Sequence, residues 1–205
     1  MYFAFYMNYN FIAPYYQFVS RLVYGKSLIN AQLDAKQFIK KSDVVLIVGG
    51  GDGEVLKEFQ KLDFQKLYFV DSSEKMIQLA KEKVNDDRIQ FLCLDIFNAQ
   101  FDNDFDVIIL PFLLDNFSQK ECDIIIKKLI SQLKTILIVV DFTENPNFWQ
   151  RIVLRLMYFF FRIFSKLQVK SIPEIEKTVQ KNGLIKIYQS TRFYQFIETK
   201  VYQTN

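Results

Sequence analysis

The chain contains no histidine. That removes His-ligated metals, His-based catalytic triads and the usual general base of neutral-pH chemistry. It has two cysteines, Cys93 and Cys122, far apart and in segments that read as strand and helix. Two buried thiols suit them better than a disulfide, in agreement with a reducing, cytoplasmic setting. Glycine and proline are scarce, at six and four, and no internal repeat or low-complexity linker marks a second domain. One charge sign does not dominate. A net charge of +3 is too weak a field to argue for a nucleic-acid partner. No run approaches the roughly 20 apolar residues of a membrane span. The N-terminus carries no cationic segment before its apolar residues, so it does not read as a signal peptide.

What is present is apolar and aromatic. Half of the 205 residues are hydrophobic, with 22 Phe and 11 Tyr. That length and composition predict one globular domain with one substantial core, residues 1–40 forming a helical cap and 41–205 the core domain. Four of the six glycines lie together, at Gly49, Gly50, Gly51 and Gly53. Before them, residues 44–48 are a continuous Val/Ile/Leu run of strand length, the pattern of a strand buried on both faces. After Gly53 the spacing turns helical, with Val55, Leu56 and Phe59 apolar. A buried strand therefore enters a glycine-rich turn that opens a helix. Such a turn lets a ligand approach bare backbone, and the helix start offers free N–H groups. A tight turn with no ligand gives the same pattern.

The glycines are spaced G-x-G-x-G. The dinucleotide fingerprint G-x-G-x-x-G would place its third glycine at Glu54. The spacing present instead resembles motif I of the Rossmann-like S-adenosylmethionine (SAM) methyltransferases. Further along, residues 66–71 read as a second strand ending in Asp71, about twenty residues beyond the turn, where a carboxylate can accept from ribose hydroxyls. Ser72 or Ser73 would cap the following helix, in which Met76, Ile77, Ala80 and Val84 recur at helical spacing. This stretch is similar to the family's acid-x-S-x-x-M-x-x-x-A helix. Residues 88–94 read as a third strand, followed by Asp95 and Ile96. The resemblance implies that Asp95 meets the adenine amino group and that the backbone of Ile96 meets a ring nitrogen. Residues 105–117 resemble the fourth strand and its loop, with Pro111 ending the strand. Leu110 to Asp115 would lie beside the sulfonium and the methyl acceptor.

Near the N-terminus, Tyr9, Ile12, Ala13, Pro14 and Tyr16 resemble the Y-x-x-I-A-P-x-Y opening of methyltransferases similar to the ubiquinone/menaquinone enzymes. There the segment caps the cofactor and shapes the acceptor pocket, and a helix over 27–40 should follow. Ser118 and Glu121 have the spacing of a capping box opening a helix to about 132, with Ile125, Leu129, Ile130 and Leu133 as its buried stripe. Residues 135–141 read as a fifth strand. Pro146 can start a helix over 146–166, in which Arg151, Arg155, Arg162 and Lys166 share a narrow sector. That helix reads as a core element with one wet stripe, an active-site lid, a homodimer face or a helix lying on a membrane. Pro173 begins a short helix ended by Asn182 and Gly183, and strands over 184–190 and 193–202 would form an antiparallel hairpin.

The resemblance implies an α/β fold, a Rossmann-like seven-stranded sheet in the order 3-2-1-4-5-7-6. It implies SAM as cofactor, no metal, and methyl transfer to a small apolar or aromatic acceptor. The cofactor set it implies is Gly49, Gly50, Gly51, Gly53, Asp71, Ser72, Met76, Asp95, Ile96 and Leu110. With no histidine, Asp115 and Tyr16 are the candidate catalytic groups. One position departs from the family: an acid is usual two residues before the first motif I glycine, and here it is Ile47. The GGGDG run at 49–53 also resembles the turn of polyamine synthases, which use decarboxylated SAM. Those enzymes carry acids directly after the fourth strand, where this chain has Pro111, Phe112, Leu113 and Leu114. A methyltransferase-like protein that binds without catalysis is the third alternative.

Overall fold

The computed structural model describes residues 24–165 and 172–204, and for residues 158–165 the backbone alone. In chain order the elements are α1 (Ser27–Leu33), β1 (Val44–Val48), α2 (Leu56–Phe59), β2 (Lys66–Asp71), α3 (Glu74–Lys81), β3 (Ile89–Cys93) and β4 (Phe105–Pro111). They continue with α4 (Gln119–Ile130), β5 (Leu133–Phe142), α5 (Phe148–Ser165), α6 (Ile175–Lys181), β6 (Ile185–Arg192) and β7 (Ile197–Gln203). Short 3₁₀ turns span Asp34–Phe38 and Leu114–Asn116.

The seven strands form one sheet in the order β3-β2-β1-β4-β5-β7-β6. β1 to β5 pair in parallel, and β7 runs antiparallel to both β5 and β6. The expected fold is therefore the one observed. Burial on both faces explains the unbroken apolar runs. Val45, Ile47, Phe69, Ile109, Ile138 and Val140 face one core, closed by α1, α2, α3 and part of α5. Leu46, Val48, Val70, Ile108, Leu110, Leu137 and Val139 face the other, closed by α4 and α6.

Local signals act where expected. Ser73, not Ser72, caps α3, its hydroxyl accepting the Met76 N–H at 3.3 Å. Ser118 and Glu121 complete their capping box. Other boundaries differ for identifiable reasons. α3 stops at Lys81, before Val84. The buried stripe of α4 is Cys122, Ile125, Ile126 and Leu129, while Leu133 already belongs to β5. α5 is capped by Asn147 rather than started by Pro146: Asn147 Oδ1 accepts the Gln150 N–H at 3.0 Å and Gln150 Oε1 accepts the Asn147 N–H at 2.8 Å. Residues 193–196 are a turn, not strand. Phe193, Tyr194 and Gln195 all have positive φ, a left-handed stretch without glycine to announce it. The two thiols also part company. Cys122 is buried and Cys93 exposed, because β3 is an edge strand with its final residues uncovered.

Candidate functional site

The carboxyl ends of β1, β2 and β4 meet at the glycine turn. Gly49 and Gly50 donate their N–H groups to Val70 O at 2.8 and 3.2 Å, which sews the turn to the end of β2. Gly51 has φ +61, and open space lies where its side chain would stand. Its N–H donates to Asp71 Oδ2 at 2.9 Å, and Asp71 Oδ1 accepts the Ser73 N–H at 2.9 Å. One carboxylate thus fixes both the glycine turn and the start of α3. Each oxygen keeps lone pairs beyond these bonds. Burial raises the Asp71 pKa, against the pull of the Ser73 and Gly51 N–H donors.

Neighbouring residues tighten the turn. A side chain on Gly49 would come within 2.9 Å of Leu113 Cδ1, so the β4 loop lies directly on the turn. Lys83, from the end of the α3 segment, bonds to Asp52 and, at 2.9 Å, to Glu54. The next strand end joins the same site, because the Leu94 N–H donates to Asp71 O at 3.1 Å. Asp95 follows, its Oδ1 accepting the Phe97 N–H at 2.8 Å. Lys128 Nζ reaches across from α4 to the carbonyls of Ile96 and Phe97 at 2.8 and 3.1 Å, pinning that loop from behind.

The expected cofactor residues therefore fall into two groups. Gly49, Gly50, Gly51, Gly53, Asp71 and Asp95 come together at the strand ends, with Ser72 exposed beside them. Met76, Ile96 and Leu110 are buried; Ile96 and Leu110, the latter within β4 paired to Val139, pack in the core on the α4 face. Ile47, at the departing position, is likewise core. Tyr16 and the aromatic opening Tyr9–Tyr16 lie outside the described residues.

A second centre lies beyond β4 and β5. Asp115 sits on the 3₁₀ turn after β4 and Asp141 near the end of β5; both are buried. Asp141 Oδ2 accepts the Asp115 N–H at 3.2 Å and Oδ1 accepts its neighbour Phe142 N–H at 2.8 Å. Asn116 Nδ2 donates to Asp115 Oδ1 at 2.7 Å. No cation neutralises the pair among the described residues. Burial, then the Asp141 charge, drives the Asp115 carboxyl far above its ordinary range. Burial likewise pushes Asp141 up to about 7, although three backbone N–H donors oppose it. Two close carboxyls in such a place cannot both ionise readily, so the pair holds a proton near neutrality.

Aromatic rings roof this pair. Phe142 lies 5.4 Å from Phe112, 5.0 Å from Phe196 and 5.7 Å from Tyr24, and Tyr24 lies 5.2 Å from Phe193. Phe112 itself has φ +48, a strained value for a bulky residue in the loop after β4. α5 closes over the group, burying Leu154 and placing Met157 Sδ 3.8 Å from the Tyr24 hydroxyl.

Asp141 carried no expected role. Its only sequence signal is an acid ending a buried Val/Ile strand, which is common at strand ends. Lys200 is a second surprise. Its ammonium is surrounded by Glu198 at 2.9 Å and by Glu144 and Glu176, each at 3.2 Å. Burial alone would lower its pKa, but the carboxylates outweigh that and raise it. The cluster ties the end of β5 to α6 and β7.

Residues 45–135 match the methyltransferase domain family. Two relatives share parts of the chain. Polyamine aminopropyltransferase 2 of Aquifex aeolicus (strain VF5) is 37% identical over 71 residues, covering 30% of this chain and 14% of that one. A malonyl-[acyl-carrier protein] O-methyltransferase of Priestia megaterium (strain DSM 319 / IMG 1521) is 33% identical over 98 residues, 47% of this chain and 35% of that one. The matches thus span well under half the length of either relative. Among solved structures, magnesium protoporphyrin IX methyltransferase from Synechocystis PCC 6803, with bound SAH, superposes with a TM-score of 0.63 at 20% identity. The overlap covers 85% of this chain and 80% of that one. At that identity the likeness is one of fold.

Proposed function

We propose that this chain, whose residues 45–135 match the methyltransferase domain family, is an SAM-dependent methyltransferase acting on a small apolar or aromatic acceptor. The observation that carries this reading is the glycine turn with Asp71 locked beneath it. The Gly51 N–H is held at 2.9 Å from the carboxylate, and open space lies beside the same glycine. A nucleoside fits that geometry, because a diol needs acceptors and a flat base needs bare backbone. In this reading Asp71 takes the ribose hydroxyls, Asp95 the adenine amino group and the Ile96 backbone a ring nitrogen. Gly49, Gly50, Gly51 and Gly53 line the approach, with Ser72 at its rim and the backbone around Leu110 near the methyl donor.

Bound SAM would supply an electrophilic methyl on a sulfonium. The chain's own work is then alignment and exclusion of water. Tyr24, Phe112, Phe142, Phe193 and Phe196 form an apolar wall beside Asp115 and Asp141, suited to a ring or a chain rather than to a phosphate backbone. α5 acts as a lid over this end. When the Asp115–Asp141 pair gives up its proton it becomes a base matched to neutral pH, able to take a proton from a phenolic or enolic acceptor. Tyr16 would join it from the N-terminal segment.

The sequence match to an aminopropyltransferase favours a second reading, transfer from decarboxylated SAM. The loop after β4 argues against it. Residues 111–114 offer no acid to hold an amine, and Asp115 is engaged with Asn116 and Asp141. Calorimetric titration with SAM and decarboxylated SAM tests both. SAM should bind. Asp71→Ala should remove two charge-assisted bonds, on the order of 2–4 kcal/mol or roughly 30- to 1000-fold in affinity. Asp95→Ala, which leaves the turn intact, should weaken binding less. No SAM binding at millimolar ligand refutes the reading, and a clear preference for decarboxylated SAM establishes the second one.

A further inference from the structure

α5 presents two faces. Gln150 and Leu154 are buried toward the sheet. On the opposite side Phe148, Trp149 and Leu156 are 71%, 73% and 64% exposed. At 100° per residue Phe148, Ile152, Leu156 and Trp149 span one sector about 100° wide, and Arg151 and Arg155 flank it on one side. Both arginines are exposed, and neither forms an ion pair among the described residues. Arg151 spends its Nε on the Pro146 carbonyl at 3.0 Å, which orients its guanidinium along the helix start.

The sequence sharpens the charge picture. From Asn145 to Pro173 there is no acidic residue, while Arg151, Arg155, Arg162, Lys166 and Lys170 supply five cations. The whole chain is only +3, so the remainder is net negative. The positive charge is concentrated in the one segment that also exposes tryptophan, phenylalanine and leucine together. Among the described residues no helix is long and apolar enough to cross a membrane.

We propose that the outward face of α5 lies in the surface of an anionic lipid bilayer, with Phe148, Trp149 and Leu156 inserted at the headgroup boundary and Arg151 and Arg155 on lipid phosphates. A helix with an apolar face, a cationic flank and no acids is built for that interface. A second copy of the chain fits worse, since a two-fold contact would set this cationic face against itself. The helix is anchored at the end of the sheet that carries the candidate site, where the start of β7 pairs with the end of β5. Gln150 Nε2 donates to Tyr194 O at 2.9 Å in the turn that joins β6 to β7, where Tyr194 is 89% exposed. Bilayer contact therefore brings that end of the sheet toward the lipid. The proposal does not depend on the methyl-transfer reading, because vesicle binding needs no cofactor.

Trp149 is the only tryptophan in the chain, so its emission reports on this face alone. The test is co-sedimentation and Trp149 fluorescence of the full chain with vesicles of phosphatidylglycerol and phosphatidylcholine, and with phosphatidylcholine alone, at low and high salt. The expected result is binding to the anionic vesicles with a blue shift of Trp149 emission, both weakened by salt. Arg151→Gln with Arg155→Gln should weaken partitioning roughly 25-fold, about fivefold per cation. Leu156→Asp should abolish it while circular dichroism stays unchanged, since position 156 faces away from the core. Absence of binding to anionic vesicles at low salt overturns the proposal. So does equal binding to phosphatidylcholine, or a lipid-free dimer that Leu156→Asp dissociates.

Discussion

The buried Asp115–Asp141 pair should make the stability of this protein fall as pH rises, and Asp141→Asn should remove the part of that fall that Asp141 contributes. In the unfolded chain an aspartate releases its proton near pH 4. In the folded chain burial holds the Asp141 proton until about pH 7. Because the folded state keeps a proton that the unfolded state has lost, stability is full below the unfolded pKa and declines up to the folded one. About three pKa units at roughly 1.4 kcal/mol each give a loss on the order of 4 kcal/mol between pH 4 and pH 7 or above. That is a large share of the roughly 5–15 kcal/mol of a whole fold. The variant has a separate, pH-independent cost. Asp141 accepts N–H groups on both oxygens, and an asparagine has one acceptor oxygen, so one N–H loses its partner at about 1–3 kcal/mol. The slope, not the offset, is therefore the diagnostic. Urea unfolding of wild type and Asp141→Asn at pH 5 and pH 8, followed by far-ultraviolet circular dichroism, measures it. Wild type should lose about 3 kcal/mol more than the variant over that interval, and Asp115→Asn should flatten the profile in the same direction. Parallel profiles for wild type and both variants would refute a buried proton held by this pair.

Two further predictions separate packing from binding. A side chain on Gly50 would enter the ring of fully buried Phe69, whereas Gly51 has open space and φ +61. Gly50→Ala should thus destabilise the fold by about 1–3 kcal/mol in thermal unfolding, while Gly51→Ala should cost less stability, about 1–2 kcal/mol from its backbone, and lose SAM affinity in the same calorimetric assay. Lys200→Met leaves Glu144, Glu176 and Glu198 together without their central cation, and chemical denaturation at pH 8 should show a loss of about 3–5 kcal/mol that shrinks toward pH 4 as the carboxyls protonate.

What the sequence determined by itself is whatever is written in short-range pattern. Residues 44–48 and 107–110 are apolar without alternation because their strands are buried on both faces, and that alone identified them. The glycine turn, the Ser73 cap and the Ser118–Glu121 box depend on residues within a few positions of one another, and all three form. The spacing of Asp71 from Gly51 was legible, and the bond between them exists. What only the tertiary structure decided are meetings between distant residues. Asp115 and Asp141 are brought together because β4 and β5 lie side by side, and nothing local marks either acid as buried. Lys200 finds its three carboxylates because antiparallel β7 returns to the end of β5, beside α6. The face of α5 that stays outside was likewise undecided by the sequence. With apolar residues on most sides of that helix, periodicity cannot choose which sector meets the sheet. Only the packing of Leu154 and the Gln150 bond to Tyr194 fix the rotation that leaves Trp149 and Leu156 exposed.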